Sequence, residues 1–132
     1  MSTVLVVDDE KSIRRALRGY FERSGFAVLE AGSGAEALRV VEAGDVDAVV
    51  SDVLMPELSG VAFYDSLVSR VPELLHRVVF LTGAARDPKV HAPIEQRGVP
   101  LISKLDDFSL VVDAVRLALL RRGGSNSRSP AG

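Results

Sequence analysis

Short runs rich in β-branched residues alternate along the chain with longer stretches of helical period. That alternation predicts repeated βα units around a parallel sheet, an α/β fold wound with helices on both faces. The strand candidates are Val4 to Asp8, Ala27 to Glu30, Ala48 to Asp52, Val78 to Thr82 and Val99 to Ser103. Most are apolar throughout, as strands covered on both faces should be.

Ile13, Leu17, Tyr20 and Phe21 share one face of a first helix that Gly25 can stop. A second helix opens on a Ser33-x-x-Glu36 capping box, carries Leu38 and Val41, and stops at Gly44. A third is expected from Gly60 to Val71, with Val61, Tyr64, Val68 and Val71 on its inner face and Pro72 ending it. The last begins at Asp106 or Asp107 and should bury Phe108, Val111, Val112, Val115 and Leu119. Between the fourth and fifth strands Pro88 and Pro93 bracket a short segment, and a proline inside a helix costs about 3 kcal/mol. The fourth helix is therefore expected to be short or irregular, running only from Pro93 to Arg97 if Pro93 is its first residue.

Composition excludes more than it identifies. The 132 residues suit one domain, with residues 1–122 as its body and 123–132 as a flexible tail or truncated linker. The chain has no cysteine, which removes disulfides, thiolate zinc sites and cysteine nucleophiles; His76 and His91, both read as loop residues, are too few for a histidine metal site. A net charge of −2 offers no broad basic surface for nucleic acid, and no apolar run is long enough for a membrane span. With no leader-like segment after Met1, a cytoplasmic location is expected.

In an open parallel sheet, ligands sit outside the carboxyl ends of the strands. The residues there are Asp8 and Asp9, Asp52, Thr82 and Lys104, separated in sequence by whole helix-plus-strand units. Converging carboxylates repel one another and suit a hard cation such as Mg²⁺. A carboxylate can also attack phosphorus to give an aspartyl phosphate, and the transferring group then needs cations and hydrogen-bond donors on its equatorial oxygens. Asp52, Lys104 and Thr82 supply those residue types.

These pieces resemble the response-regulator receiver domains of two-component signalling: Val-Val-Asp8-Asp9-Glu-Lys-Ser, Ser-Asp52-Val-Leu-Met-Pro56, Leu-Thr82-Gly83 and Lys104. The likeness spans about residues 3–122 and implies a chemotaxis-regulator-like, doubly wound sheet in the flavodoxin-like order 2-1-3-4-5 with five helices. It implies that Asp52 accepts phosphate from a sensor histidine kinase or a histidine phosphotransfer protein. It further implies Mg²⁺ held by Asp9, Asp52 and the Leu54 carbonyl, with Asp8 acting through water, and Thr82 and Lys104 contacting the phosphoryl oxygens. The product would be a phosphorylation switch rather than an enzyme with an outside substrate, losing its phosphoryl group slowly to water and signalling to a downstream protein.

Three features depart from the family pattern. Leu105 stands where a proline, often cis, usually follows the lysine, so either a trans bond displaces the loop and the Lys104 amine or the loop is strained. Leu101 replaces the aromatic switch residue coupled to Thr82, and the fourth helix carries prolines. A phosphorylation-independent interaction module is therefore an alternative reading. An aspartate-nucleophile phosphatase of the haloacid dehalogenase type ranks below both, because Leu54 occupies the position of its general acid.

Taken singly, each site residue has an ordinary role: Asp8 and Asp9 as a cap or solvated turn, Asp52 and Thr82 as turn residues, Lys104 as a surface lysine. Only their shared register at the strand ends favours chemistry. Leu54 and Ala84 are expected to shape access to Asp52. Arg14, Arg15 and Arg18 read as a solvated helix face, which by resemblance can touch the phosphodonor protein. Leu110, Ala114 and Leu117 form a second apolar stripe on the last helix, either ordinary surface or a face for a homodimer or an output partner.

Overall fold

The computed structural model describes residues 1–83 and 87–124. Ala84 and residues 125–132 of the expected tail lie outside the described residues. The chain runs β1 (Thr3–Val7), α1 (Lys11–Arg23), β2 (Ala27–Ala31), α2 (Gly34–Glu42), β3 (Ala48–Asp52), α3 (Gly60–Arg70), a single 3-10 turn (Pro72–Leu74), β4 (Val78–Thr82), α4 (Pro88–Gln96), β5 (Leu101–Ser103) and α5 (Ser109–Gly124). The five strands form one parallel sheet in the order β2-β1-β3-β4-β5, as the resemblance implies.

Successive side chains of a strand point to opposite faces, so each inner strand feeds two cores. Leu5, Val7, Val49 and Phe80 pack under α2, α3 and α4 with Leu38, Phe63 and Leu67. Val4, Val6, Val50 and Leu81 pack under α1 and α5 with Leu17, Phe21, Val111 and Val115. β3 and β4 are buried along their whole length, whereas β5 at the sheet edge is only half-buried. β5 is also shorter than expected: Pro100 has no N–H to donate, although its carbonyl still accepts from Phe80 N at 2.9 Å.

The helices differ from expectation in instructive places. Ser33 Oγ accepts from Glu36 N at 3.1 Å, but the Glu36 carboxylate reaches Gly32 N at 2.7 Å rather than closing back on Ser33. α3 ends at Arg70 and buries Gly60, Phe63, Tyr64 and Leu67; Val61, Val68 and Val71 lie at the margin of that core. The fourth helix is a nine-residue element in which Pro88, not Pro93, takes the first position, capped by Asp87 Oδ1 on Lys89 N at 3.0 Å. Pro93 lies inside it, and the Pro93 carbonyl accepts from Arg97 Nη1 at 2.9 Å. His91 accordingly sits on α4, 3.6 Å from Glu95, rather than in a loop. α5 begins at Ser109, with Asp107 Oδ1 accepting from Ser109 N at 2.8 Å. It buries Val111, Val112, Val115 and Ala118, while Phe108 and Leu119 are only partly covered; its helical backbone includes Gly123 and Gly124.

Candidate functional site

The parallel register places Val7 beside Ser51, Asp52 beside Leu81, and Thr82 beside Ser103. The next residue of β1 and of β5 is therefore Asp8 and Lys104, and these meet Asp52 at one edge of the sheet. Lys104 Nζ lies 2.9 Å from Asp52 Oδ2 and 3.1 Å from Asp8 Oδ2, and it also reaches Glu10 Oε1 at 3.3 Å. The ammonium group thus serves three carboxylates.

The two buried acids are held differently. Asp52 Oδ1 accepts from Leu54 N at 3.0 Å, and the Asp52 carbonyl accepts from Ser51 Oγ at 3.0 Å. Asp8 Oδ1 accepts from Glu10 N at 2.8 Å, a local turn that opens α1. Asp8 Oδ2 is buried and, although Lys104 stands beside it, lacks a hydrogen bond of good geometry. Burial pushes the Asp8 carboxyl above the usual aspartate range and the Asp52 charge adds to that push, against the Glu10 N–H and Lys104. Burial alone would depress the Lys104 ammonium, but its hydrogen bonds to Asp52 and Asp8 outweigh this and carry it above the ordinary lysine range.

Asp9 is exposed, and carboxylate oxygens of Asp8, Asp9 and Glu10 lie within 4.8 Å of one another. Asp52 joins this group through Lys104. Asp9 lines an open crevice of about 650 Å³ with Val53, Leu54, Met55 and Pro56. Hard oxygen donors and one buried carboxylate oxygen without a good hydrogen bond fit a small divalent cation. Thr82 is fully buried at the end of β4, and its carbonyl accepts from Lys104 N at 3.0 Å.

The substitution at Leu105 does not displace the lysine. The described residues contain no cis peptide bond, so the Lys104–Leu105 bond is trans, and Leu105 points into solvent at 91% exposure. Leu105 N donates to Ser103 Oγ at 3.1 Å, which with the Thr82 carbonyl holds the turn so that Nζ enters the site. Leu101 lies at the start of β5 beside Phe80, half-buried against the core and outside the acidic cluster. Leu54 is 56% exposed at the crevice. On α5, Leu110 and Leu117 are exposed, and Ala114 and Leu117 line an apolar groove of about 300 Å³ at the far end of the sheet.

Sequence reasoning missed Glu10, whose only signal was its place directly after the acidic pair. It also misjudged the arginines of α1. Arg15 is exposed and Arg18 partly so, but Arg14 is largely covered, and the guanidinium groups of Arg14 and Arg18 lie 3.1 and 2.6 Å from Glu30 on β2.

Comparison with known proteins agrees with this fold. The family profile described as the response regulator receiver domain matches residues 4–116. The sensor kinase CckA of Brucella abortus is 40% identical over 88 residues, covering 65% of this chain and 9% of that protein. The alkaline phosphatase synthesis transcriptional regulatory protein PhoP of Bacillus subtilis is 40% identical over 79 residues, covering 60% of this chain and 32% of that protein. The chain thus corresponds to a fraction of these relatives' length. A crystal structure of a response regulator receiver domain protein from Clostridium thermocellum superposes with a TM-score of 0.79 at 27% identity, covering 92% of this chain and 97% of that one.

Proposed function

Because this chain belongs to the response regulator receiver domain family, we propose that Asp52 is its phosphoacceptor. The observation that carries this reading is the 2.9 Å contact between Lys104 Nζ and Asp52 Oδ2 at the carboxyl ends of the strands. The Leu54 N–H engages Oδ1 and orients the carboxylate. Oδ2 is then the oxygen beside which an incoming phosphoryl group meets positive charge. In the transfer an Asp52 oxygen bonds to phosphorus, the phosphorus–nitrogen bond of a phosphohistidine breaks, and the imidazole leaves with a proton from solvent. Lys104 moves its contact from carboxylate to phosphoryl oxygen, and the Thr82 hydroxyl supplies a further donor. Water later attacks the acyl phosphate and resets the switch.

Asp9, Asp52, the Leu54 carbonyl and, through water, Asp8 would hold Mg²⁺. When bound, the ion neutralises charge on the equatorial phosphoryl oxygens. The donor would be a sensor histidine kinase or a histidine phosphotransfer protein, in the cytoplasm, with output through contacts to a downstream protein. Among the described residues no helix is long and apolar enough to cross a membrane. With Leu101 in place of an aromatic, output does not use a coupled threonine–aromatic rotation. The exposed Leu110 and Leu117 of α5, with Ala114, offer a face for a second copy or an output partner.

Intact mass spectrometry with Mg²⁺ and a small acyl phosphate tests the reading. The wild-type protein should gain one phosphoryl group, Asp52→Asn none, and Lys104→Ala far less at equal time. An unchanged wild-type mass would support the phosphorylation-independent module instead.

A further inference from the structure

The main chain at the acidic pair is anchored from a direction the phosphoacceptor chemistry does not require. Asp8 N donates to the Ala31 carbonyl at the end of β2 at 3.2 Å, while the Asp8 carbonyl accepts from Arg14 Nη1 at 2.6 Å. Arg14 in turn donates through Nε to Glu30 Oε1 at 3.1 Å. The other oxygen of Glu30 accepts from Arg18 Nε at 2.6 Å, and Arg18 Nη2 donates to the Val28 carbonyl at 3.2 Å. A planar guanidinium held along two edges is a stiff bracket. The Arg14 side chain is 17% exposed and that of Glu30 27%, so the bracket is partly sheltered from water.

The carbonyl of Asp8 and the N–H of Asp9 belong to one rigid peptide plane. Fixing that oxygen fixes the orientation of the plane, and with it the dihedral angles that direct the side chains on either side, Asp8 and Asp9. α1 does not need this bond for its own start, since Arg14 N already donates to the Glu10 carbonyl at 3.2 Å. We propose that Arg14 is a positioning residue for the divalent-cation site, locking the Asp8–Asp9 peptide plane, with Glu30 as its counter-anchor. The proposal rests on the reading that Asp8 and Asp9 serve Mg²⁺.

Arg14→Met, Glu30→Gln, the double variant and Arg14→Lys are compared with wild type by calorimetric Mg²⁺ titration. Folding is monitored by circular dichroism and melting in chelator. The rate of phosphorylation by acetyl phosphate is measured as a function of Mg²⁺ concentration. Arg14→Met should weaken Mg²⁺ binding about tenfold, as loss of a partner that orients metal ligands does. Glu30→Gln should weaken it less, and the double variant no more than Arg14→Met. Arg14→Lys, with one donor for the same carbonyl, should recover part of the affinity. The Mg²⁺ concentration for half-maximal rate should rise while the rate at saturation stays near wild type. A merely structural staple would lower the melting temperature and leave Mg²⁺ affinity unmoved, and that result overturns the proposal. Should Arg14→Met fail to fold, unchanged affinity in Glu30→Gln overturns it equally. Wild-type protein that takes up no Mg²⁺ overturns the reading of the site as well, whereas wild-type binding that survives in Arg14→Met overturns only the role of Arg14.

Discussion

Lys104 Nζ stands 2.9 Å from Asp52 Oδ2, and through it β5 is tied to β3 across the intervening β4. The Lys104 side chain is 15% exposed and that of Asp52 7%. Removing one partner of a buried pair leaves the other charge uncompensated, which costs about 3–5 kcal/mol in the interior. Lys104→Met should therefore destabilise the protein by about 3 kcal/mol in chelator at neutral pH, read by urea denaturation. The raised ammonium pKa gives the sign at high pH. The contribution of Lys104 is complete below the ordinary lysine value of 10.5 and fades as pH rises through the folded value. Wild-type and variant stabilities should therefore converge only in strong alkali.

Asp8 contributes with the opposite sign to an ion-paired carboxylate. Its folded pKa is raised, so the native state binds a proton more readily than the unfolded chain, and stability falls as pH climbs from about 3.8 through the folded value. Asp8→Asn keeps an oxygen to accept from Glu10 N and removes the buried charge. It should raise the melting temperature in chelator at pH 7 by a few degrees, flatten the dependence on pH above the ordinary aspartate value, and shrink the gain on adding Mg²⁺. A lower melting temperature for this variant in chelator would show that the Lys104 contact outweighs burial.

Glu30 behaves in the ordinary way for a paired carboxylate. The Arg18 guanidinium, and less strongly Arg14, hold it below its usual value near 4.5. Its contribution is present above that value and is lost as pH falls through the folded one. Wild type should lose stability between pH 5 and 3 more steeply than Glu30→Gln, with the gap measured by denaturant midpoints. Because Glu30 is 27% exposed, the difference should narrow at high salt.

The fold was readable because each level pointed the same way. β-branched runs, capping residues and turn glycines all favoured alternating βα units, and the acids and the lysine fell at the same ends of the strands. Pro93 misled because propensity measured on isolated helices is a weak prior: Pro88 and Asp87 start α4 well, and Ile94 is buried in the core. Leu105 misled because its effect depends on the turn, where Ser103 Oγ and the Thr82 carbonyl hold Lys104 in place. Arg14 and Arg18 could not be told from solvated arginines, since they lie on α1 while their partner Glu30 lies on β2, and only the packing of the helix against that strand brings them together. Spacing along the chain could not show that Asp8 Oδ2 would be buried without a good hydrogen bond, or that burial, with the Asp52 charge adding to it, would push the Asp8 carboxyl up.

Gly60 gives a test of how tightly the loop after Asp52 is braced. Its N–H donates to the Val53 carbonyl at 2.8 Å, and a Cβ there would stand 2.8 Å from both Val53 Cα and that carbonyl oxygen. Alanine is the better helix former by up to about 1 kcal/mol, but backbone contacts cannot step aside as side chains do, and overpacking costs about 1–3 kcal/mol. The clash should win, giving Gly60→Ala a net loss of about 1–2 kcal/mol by denaturation. Val53 follows Asp52 and precedes Leu54, so the same shift should slow acyl phosphate transfer to Asp52. Gly34→Ala is the control: the near contact of its Cβ would be Leu58 Cδ2, at 2.6 Å, the mobile end of a half-buried side chain whose Cβ and Cγ stand at an ordinary 3.5 Å. If Leu58 turns away, Gly34→Ala keeps wild-type transfer while Gly60→Ala does not; equal rates in the two variants would mean that the Val53 contact does not brace the acceptor.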